Sequence, residues 1–512
     1  MIIFLMILSN VMSIVGKNMM WNDSLLNLNI SGNKLRRDTR AIDRASRDYG
    51  KIANIRPDAV LYPTSVNDIV NLVKLSYNSK RPFGVAARGR GHSVRGQAMV
   101  KKGVVVEMTS LNTVTRGSRI RIVNDPRLGL YTDVGGEQMW IDVLYATLQR
   151  GLSPVVWTDY LYLTVGGTLS NAGLGGQAFR HGPQISNVFE LDVITGKGRL
   201  VTCSNTYRSE LFYAVLGGLG QFGIITRARI RLVKAPTKVK WVKLMYSDFS
   251  AYIRDQENLI TSNDDGLNYV EGSVIMDYSH PISWETSFSP IEVSRIKTLL
   301  TQHKILYCIE AIKYYGYAPT YSNISETEVD NLFQGLSYVP GFIFKKDASY
   351  FDFLNRVHVK EIALQPLGLW NIPHPWLNMF IPKSSIMNFN QRVLVDFIHK
   401  QNKSTGPIHA YATRRNKWDD RMSAVTPDGE IFYFVGLLHA VVDGDWKSRD
   451  ILNKEVLGLC KKLGIEVKEY LWNQKTKDEW IRHFGPKWRI FAQRKALFDP
   501  KKILSPGQNI FN

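Results

Sequence analysis

The stretch from residue 85 to residue 97 constrains the fold more than any other part of the chain. Its sequence is Val-Ala-Ala-Arg-Gly-Arg-Gly-His-Ser-Val-Arg-Gly-Gln, in which an apolar run typical of a strand leads into glycines, a histidine and a serine. Glycine has no Cβ, so the backbone can approach a ligand closely at these positions. Successive N–H groups in such a turn can bind a diphosphate. The stretch therefore predicts a strand that ends in a turn suited to a phosphate-containing ligand.

His92 lies where the reactive edge of a bound cofactor would be, which suggests a flavin site with His92 as its covalent anchor. A glycine turn with a polar histidine explains the same residues, and this stretch alone favours that simpler interpretation. The GxGxxG pattern at residues 218–223 does not indicate an NAD site. A dinucleotide fingerprint needs a following helix and an acidic residue about 20 positions later, whereas here a strand-like run and a lysine-rich region follow. We predict a turn that brings the backbone close to a flat ligand.

The length of 512 residues favours two domains, and 44% hydrophobic with 21% charged residues is typical of a globular protein. The formal net charge is +20, but the basic residues are scattered and no nucleic-acid-binding signature is present. We therefore predict a solvated basic surface and no nucleic-acid partner. Three cysteines without a CxxC motif leave two alternatives, one disulfide with a free thiol or three inert buried thiols. No metal site is predicted.

The first fifteen residues are nearly all apolar but too short to span a bilayer. They resemble the apolar core of a signal peptide, so we predict a signal peptide at residues 1–16 and secretion to the cell exterior, with the endoplasmic reticulum lumen or vacuole as alternatives. The absence of Lys or Arg at the start leaves an apolar N-terminal helix or a retained anchor open. Glycosylation sequons add weak support at Asn22, Asn29, Asn323 and Asn402. No integral membrane segment is predicted.

The hydrophobic periodicity predicts an α+β fold of short strands and crossing helices, without a regular βαβ repeat. Strands are predicted at residues 57–63, 82–87, 103–108, 130–134 and 222–232. Helices are predicted at residues 38–49, 66–77, 140–150, 294–303 and 328–337. A linker is predicted at residues 234–238, after which the composition becomes more aromatic.

Residues 157–177 form a long run with almost no charge, in which hydroxyls alternate with small residues. Such a segment suits a backbone that wraps around a buried polar cofactor. Asp159 is the one carboxylate between Asp142 and Glu190. A lone acid in apolar surroundings is costly unless it is paired or used, so Asp159 is a candidate general base. An Asx-turn or helix cap is an equally good interpretation of Asp159 from the local sequence.

Six runs closely resemble the cytokinin dehydrogenases (cytokinin oxidases) of plants, and the resemblance covers nearly the whole chain from about residue 30. They are GRGHS at 89–93, WTDYL at 157–161, HGPQISN at 181–187, DVITGKG at 192–198, HPWLN at 374–378 and LSPGQNIF at 504–511. The glycine–histidine turn and residues 164–177 are similar more broadly to flavoenzymes of the vanillyl-alcohol oxidase type.

The resemblance implies a two-domain covalent flavoprotein of α+β class, in which a substrate domain built on an antiparallel sheet is inserted into a PCMH-type FAD-binding domain. The implied boundaries are 17–237 for the FAD-binding domain with a core at about 53–233, 238–462 for the cytokinin-binding domain, and 463–512 for a segment that returns to the FAD-binding domain.

The resemblance also implies roles for individual residues. His92 would bond covalently to the flavin 8α carbon. The residues implied to contact FAD are Gly89, Arg90, Gly91, His92, Ser93, Gln97, Asp159, Thr164, Ser170, Leu174, Ile225, Tyr470, Ser505 and Gln508. The residues implied to contact the substrate are Asp159, Glu271, Trp376, Asn378 and Leu471. Without the resemblance, Trp376 would be interpreted as core and Glu271 as an exposed loop acid.

The implied reaction oxidises the secondary amine of an N6-isoprenoid adenine to an imine, which water hydrolyses to adenine and an unsaturated aldehyde. FAD would accept the hydride, Asp159 would accept the proton, and a quinone-like compound or O2 would reoxidise the cofactor. A monomer is expected. One alternative is a covalent flavin oxidase of the same fold that acts on a sugar alcohol, alkaloid or monolignol. A non-catalytic relative is the other, although intact His92 and Asp159 argue against it.

Overall fold

The structure, a computed structural model, describes most of the chain. The described residues are 34–114, 119–261, 266–278, 284–316, 324–402, 406–471 and 475–511. The predicted signal peptide and the sequons at Asn22, Asn29 and Asn323 lie outside these residues. Asn402 is described and is exposed. In the described part of the chain, no helix is both long and apolar enough to cross a membrane.

The described strands form three sheets. The first has the order β1-β2-β4-β3, with β2, β4 and β3 parallel. Its strands are β1 (Leu35–Arg36), β2 (Ala59–Leu61), β3 (Val85–Arg88) and β4 (Val104–Glu107). The second is antiparallel, with the order β5-β6-β10-β8-β9 and β7 paired to β10. Its strands are β5 (Ile120–Asp125), β6 (Gly129–Gly135), β7 (Leu152–Pro154), β8 (Val188–Thr195), β9 (Leu200–Ser204) and β10 (Gly223–Lys234).

The third sheet is antiparallel throughout and has the order β14-β11-β13-β12-β16-β17-β15-β18. Its strands are β11 (Lys238–Tyr246), β12 (Tyr269–Met276), β13 (Ile305–Tyr315), β14 (Ile343–Ser349), β15 (Leu377–Pro382), β16 (Ile408–Arg414), β17 (Ile431–Leu437) and β18 (Lys468–Tyr470). The predicted antiparallel sheet of the second half is therefore confirmed.

Helices cover these sheets. The α-helices are Thr39–Ala45, Val66–Asn78, Ser110–Val114, Trp140–Leu148, Val165–Leu169, Ala178–His181, Ser209–Val215, Phe249–Thr261, Pro290–His303, Glu326–Leu332, Tyr350–Leu354, Arg356–Leu364, Lys383–Phe389, Trp446–Lys462, Lys477–Phe484 and Trp488–Phe498. A π-helix follows at Asn390–His399. Short 3-10 turns lie at Gln184–Asn187, Glu285–Ser287, Arg415–Lys417, Gly485–Lys487 and Pro506–Gln508.

Capping explains both the accurate and the inaccurate helix predictions. Ser65 accepts from the backbone N–H of Asp68, and Asp68 accepts from that of Ser65, so the helix begins at Val66 as predicted. The helix predicted at 328–337 instead begins at Glu326, because Ser325 forms the same reciprocal cap with Glu328. It also ends early, at Leu332. Sequence periodicity locates such helices, while the cap sets their first residue.

The C-terminal residues return to the first sheet beside the glycine turn. The N–H of Val85 donates to Ile503 O at 2.8 Å, and the N–H of Ser505 donates to Val85 O at 3.0 Å. Strand β18 instead extends the third sheet through Tyr470 and Asn378. The segment predicted at 463–512 therefore begins with a strand of the third sheet before it reaches the first. The predicted domain boundaries themselves stay predictions.

Two further predictions are settled by the strands and the cysteines. Strand β10 begins at Gly223, so the GxGxxG pattern leads into a strand rather than a helix, as predicted. Cys203, Cys308 and Cys460 are free and buried, and burial raises the pKa of each thiol to about 12. The alternative with three inert thiols is therefore correct.

Candidate active site

One cavity of about 990 Å³ lies between the three sheets, and every predicted site residue lines it. Those predicted as cofactor ligands are Gly89, Arg90, Gly91, His92, Ser93, Gln97, Asp159, Thr164, Ser170, Leu174, Ile225, Tyr470, Ser505 and Gln508. Those predicted as substrate ligands are Asp159, Glu271, Trp376, Asn378 and Leu471. The structure thus brings together residues from both halves of the chain. Their individual roles stay predictions.

The turn after β3 requires glycine at two positions, 89 and 91. Gly91 has φ +71°, a left-handed conformation that favours glycine. A Cβ on Gly89 would lie 2.1 Å from Thr164 Oγ1, so the turn could not pack against the start of the helix Val165–Leu169. A second close approach joins Gly220, with φ +70°, to the C-terminal segment, where a Cβ would lie 2.4 Å from Ser505 Oγ. Backbone therefore lines the cavity at both places.

His92 belongs to a stack of three rings. The Tyr49 ring lies 3.9 Å from His92 on one side and 4.3 Å from His374 on the other, measured between ring centres. Tyr160 lies 4.9 Å from His92, and Trp376 approaches it edge-on at 6.2 Å. Burial, followed by the charges of neighbouring groups, lowers the pKa of His92 to about 3. The imidazole is therefore neutral near pH 7 and keeps a lone pair on one ring nitrogen.

The residues at this end of the cavity fit a flavin dinucleotide. Closely packed glycine backbone suits a diphosphate, and the neutral His92 suits a bond to a ring carbon. The Ser170 hydroxyl already donates to Gly166 O at 2.7 Å, so it meets a ligand as an acceptor. Gln97 Oε1 accepts from the N–H of Arg95 at 2.9 Å. Tyr470 stacks on Phe380, 5.1 Å between ring centres, and closes one wall.

Asp159 is held by two residues of the other half of the chain. Arg356 Nη2 donates to Asp159 Oδ1 at 2.7 Å, and the Tyr269 hydroxyl donates to the same oxygen at 3.0 Å. Arg356 Nη2 also lies 2.6 Å from the Tyr269 hydroxyl, which closes a triangle. The Asx-turn and helix-cap interpretation of Asp159 is therefore not supported, because its donors are distant side chains. Its carboxylate remains about one-third exposed, toward the cavity.

Glu271 lies beside this triangle on β12, paired across the sheet with Glu310. It is buried, so the interpretation as an exposed loop acid is wrong. Burial, then the charge of Asp159, raises the pKa of Glu271 well above its usual value, which favours the protonated form. Within the described residues, Glu271 Oε1, Trp376 Nε1 and Asn378 Nδ2 are buried without a hydrogen-bond partner. Unpaired buried polar atoms on a cavity wall indicate a polar ligand.

Comparisons with known proteins identify the family of this chain. A family model described as cytokinin dehydrogenase 1, FAD and cytokinin binding, matches residues 236–511, and an FAD binding domain model matches residues 57–204. The first model covers more than half of the chain. The chain belongs to the cytokinin dehydrogenase family. The predicted enzyme class, an FAD-dependent member of this family, is confirmed, and FAD is its cofactor.

Curated relatives agree over almost the whole length. Cytokinin dehydrogenase 3 of Arabidopsis thaliana is 48% identical over 96% of this chain and 92% of its own length. Cytokinin dehydrogenase 4 of Arabidopsis thaliana is 50% identical, with 93% and 92% covered, and cytokinin dehydrogenase 1 of Oryza sativa subsp. japonica is 46% identical, with 94% and 92% covered. The crystal structure of a VAO-type flavoprotein from Myceliophthora thermophila has a TM-score of 0.64 at 15% identity and covers 88% of this chain and 79% of its own. The predicted fold is confirmed.

Sequence reasoning missed several residues of this cytokinin dehydrogenase site. Tyr269 precedes Glu271 by two positions, so strand alternation could have placed both on the same face of β12. His374 begins the HPWLN run that carries part of the family resemblance, although no role was predicted for it. Tyr49 and Arg356 have no comparable signal, since only the folded chain brings them to His92 and Asp159. No cluster of metal-binding side chains is found in the part of the chain that the structure describes.

Proposed function

We propose that this member of the cytokinin dehydrogenase family oxidises the secondary amine of N6-isoprenoid adenines to an imine, using FAD bonded covalently to His92. Hydrolysis of the imine yields adenine and an unsaturated aldehyde. FAD, when bound, accepts the hydride from the carbon next to the amine. The observation that carries the proposal is a single cavity in which a neutral histidine in an aromatic stack faces the same space as a carboxylate clamped by Arg356 and Tyr269.

Asp159 accepts the proton that the amine loses. Both of its hydrogen-bond donors bind Oδ1, which leaves Oδ2 for the substrate N–H. A carboxylate fixed in this way also orients the amine, so that the neighbouring carbon is aligned for hydride loss. Arg356 and Tyr269 are positioning residues in this scheme, because they act on the substrate only through Asp159.

Glu271 and Asn378 bind the adenine ring. A protonated Glu271 can donate from its hydroxyl and accept at its carbonyl oxygen, which matches the paired donor and acceptor atoms on the edge of a purine. The unpartnered Asn378 Nδ2 supplies a further donor, and the Trp376 indole offers a flat apolar wall and one N–H. Leu471 borders the same cavity and adds apolar surface for the isoprenoid side chain.

His92 holds the cofactor through a neutral ring nitrogen. Its low pKa keeps a lone pair available at neutral pH for a bond to the flavin 8α carbon. Tyr49 and His374 fix the plane of the imidazole by stacking, so the nitrogen has one direction. A covalent link prevents loss of the cofactor.

The reaction is tested by incubating the purified holoenzyme with isopentenyladenine and a quinone-like acceptor, and measuring adenine by liquid chromatography. We expect stoichiometric adenine and reduced acceptor. Oxidation of a sugar alcohol, alkaloid or monolignol without adenine formation would replace this proposal with the alternative covalent oxidase. Comparison of a quinone with O2 under the same conditions identifies the better acceptor.

The covalent link has a separate test. Precipitation of the wild type in acid should give a yellow pellet, whereas His92→Ala should release its flavin into the supernatant. A colourless wild-type pellet beside a yellow supernatant would remove His92 from the anchoring role. Tyr49→Leu is the matched variant, because it removes the ring that stacks on His92 and keeps the histidine that would bond to FAD.

We also propose that the chain is secreted, with the endoplasmic reticulum lumen and vacuole as alternatives, and that it is a monomer. The apolar residues 1–16 motivate the first proposal. Expression of the full chain fused at its C-terminus to a fluorescent protein in plant cells separates the three compartments. Light scattering of the purified holoenzyme measures its mass against the 58.3 kDa of one chain.

A further inference from the structure

Three lysines meet at the β14 edge of the third sheet and line the cavity there. Lys243 Nζ lies 5.3 Å and Lys346 Nζ 3.9 Å from the centre of the same ring, that of Trp241. Lys243 and Lys360 both donate to Ser287, one to its carbonyl oxygen at 3.2 Å and the other to its Oγ at 2.8 Å. Shared partners therefore hold the three ammonium groups in one small region, which we call the lysine cluster.

The carboxylates around the lysine cluster do not neutralise it. Glu310 Oε2 lies 3.7 Å from Lys243 Nζ, but Glu310 is shared with Arg356, whose Nε lies 3.9 Å from it. Within the described residues, neither Lys346 nor Lys360 has a carboxylate at ion-pair distance. Burial, followed by the charge of Lys243, lowers the pKa of Lys360 to about 8 and the pKa of Lys346 below its usual value. Partly buried like charges repel, so this region favours an anion.

The lysine cluster is continuous with the predicted adenine site. Glu271, Glu310 and Lys243 lie directly opposite one another on β12, β13 and β11, so they form one row on the cavity face of the sheet. Arg356 joins this row to Asp159. The glycine turns that suit the FAD diphosphate belong to the other two sheets. An anion at the lysine cluster would therefore be attached to the substrate rather than to the cofactor.

The geometry points to a phosphate subsite: we propose that Lys243, Lys346 and Lys360 bind the 5′-phosphate of N6-isoprenoid adenosine monophosphates, so that nucleotides are substrates as well as free bases. This inference rests on the proposed function. A phosphate monoester carries a charge of about −1.5 to −2 and accepts several hydrogen bonds, which matches three ammonium groups and the Ser287 hydroxyl. The Trp241 ring beneath two of the lysines provides an apolar wall for the ribose.

The test compares three substrates of the holoenzyme with one acceptor: isopentenyladenine, isopentenyladenosine and isopentenyladenosine 5′-monophosphate. We expect kcat/KM for the nucleotide to exceed that for the riboside by about tenfold or more, since hydrogen bonds between charged groups are worth at least that factor. In Lys243→Gln/Lys360→Gln the nucleotide-to-riboside ratio should fall by about the same factor. An unchanged ratio would overturn the inference.

Lys345→Gln is the matched control. Lys345 follows Phe344 on the same strand as Lys346, but its ammonium group pairs with Asp330 outside the cavity. This variant should keep the wild-type ratio. Lys346→Gln, at the sheet edge, provides a milder variant if the double substitution does not fold. A fall in the ratio with Lys345→Gln equal to that with Lys346→Gln would show a general charge effect and overturn the subsite.

Binding measured without turnover separates this inference from the proposed function. If none of the three compounds yields adenine, the proposed function fails, and calorimetry of the same compounds still tests the lysine cluster. The nucleotide should bind at least about tenfold more tightly than the riboside, with a preference that weakens as KCl is raised. Equal affinities would overturn the subsite. So would variants that change only the KM of the electron acceptor, because the cluster would then serve that compound.

Discussion

The two ends of the cavity are lined by different kinds of residue. Around His92 the walls are rings and glycine backbone, and the imidazole itself is neutral. Around Asp159 the walls carry ionisable side chains, with Arg356 at ion-pair distance from Asp159, Glu271 and Glu310. The first end can hold a large flat cofactor by shape. The second can move a proton and discriminate substrates by charge.

The two ends also differ in how the chain assembles them. The glycine–histidine turn occupies a few consecutive residues, and its geometry follows from glycines that tolerate positive φ. Asp159, Tyr269 and Arg356 come from three segments separated by about a hundred residues each, and they meet only after the second and third sheets pack together. Local chemistry therefore defines the glycine–histidine turn, and tertiary structure defines the hydrogen bonds that hold Asp159.

The largest expected effect is that of Asp159→Asn. Loss of the general base should lower kcat by about 10²- to 10⁴-fold, while flavin absorbance stays at the wild-type level. Steady-state kinetics with isopentenyladenine and a visible spectrum of the same sample measure both. The control is Asp352→Asn, which also lines the cavity but hydrogen-bonds to Ser349. A near-normal rate in Asp159→Asn would remove the functional contrast between the two ends.

The same contrast explains what the sequence could and could not predict. The strand before His92, the following glycine turn and the capped helix at Val66 depend on neighbouring residues, and each was predictable. The family resemblance extended the prediction to Glu271 and Asn378. Arg356 was not predictable, because it begins a helix whose sequence gives no indication that its guanidinium reaches Asp159. The start of the helix at Glu326 was missed for a smaller reason, the position of the capping Ser325.

The second prediction concerns variants that remove the hydrogen bonds to Asp159 and keep Asp159 itself. Arg356→Met should lower kcat by about 10- to 100-fold, because a charged hydrogen bond to Asp159 is lost and Glu310 is left with a weaker counter-charge. Arg356→Lys should recover part of the loss, since it keeps the charge without the planar donor pair. Tyr269→Phe should cost less, about three- to tenfold, because its donor is neutral. A rise in KM by the same factor as the fall in kcat for Arg356→Lys would contradict a positioning role.

The third prediction tests whether shape governs the cofactor end. Gly89→Ala places a Cβ where Thr164 Oγ1 lies, so the turn must shift at a cost of about 1 to 3 kcal/mol. We expect less FAD per protein after purification, measured from the absorbance ratio of flavin to protein. The control is Gly458→Ala, where a Cβ meets nothing within 4 Å, and which should gain about 1 kcal/mol of helix stability. Full flavin content in Gly89→Ala would show that the turn tolerates a side chain.

The smallest expected effect is on the pH dependence of stability. His374 at one end of the cavity and Glu271 at the other should change stability with pH in opposite directions. Burial lowers the pKa of His374, which stacks on Tyr49, to about 4, below its ordinary value of 6.5. The unfolded chain therefore binds the proton first, so His374 stabilises the fold fully above about pH 6.5 and loses that contribution as the pH falls toward 4.

The stability lost through protonation of His374 amounts to at most about 1.4 kcal/mol per pH unit. Glu271 acts in the opposite direction, because its raised pKa makes the fold lose stability as the pH rises above its ordinary value of 4.5. We therefore expect the melting temperature of the holoenzyme to fall between pH 6.5 and 5, and to fall less steeply in His374→Gln. In Glu271→Gln the fall should be steeper than in the wild type, because a gain of stability on acidification is removed. Identical pH slopes in all three proteins would show that neither buried group is linked to folding.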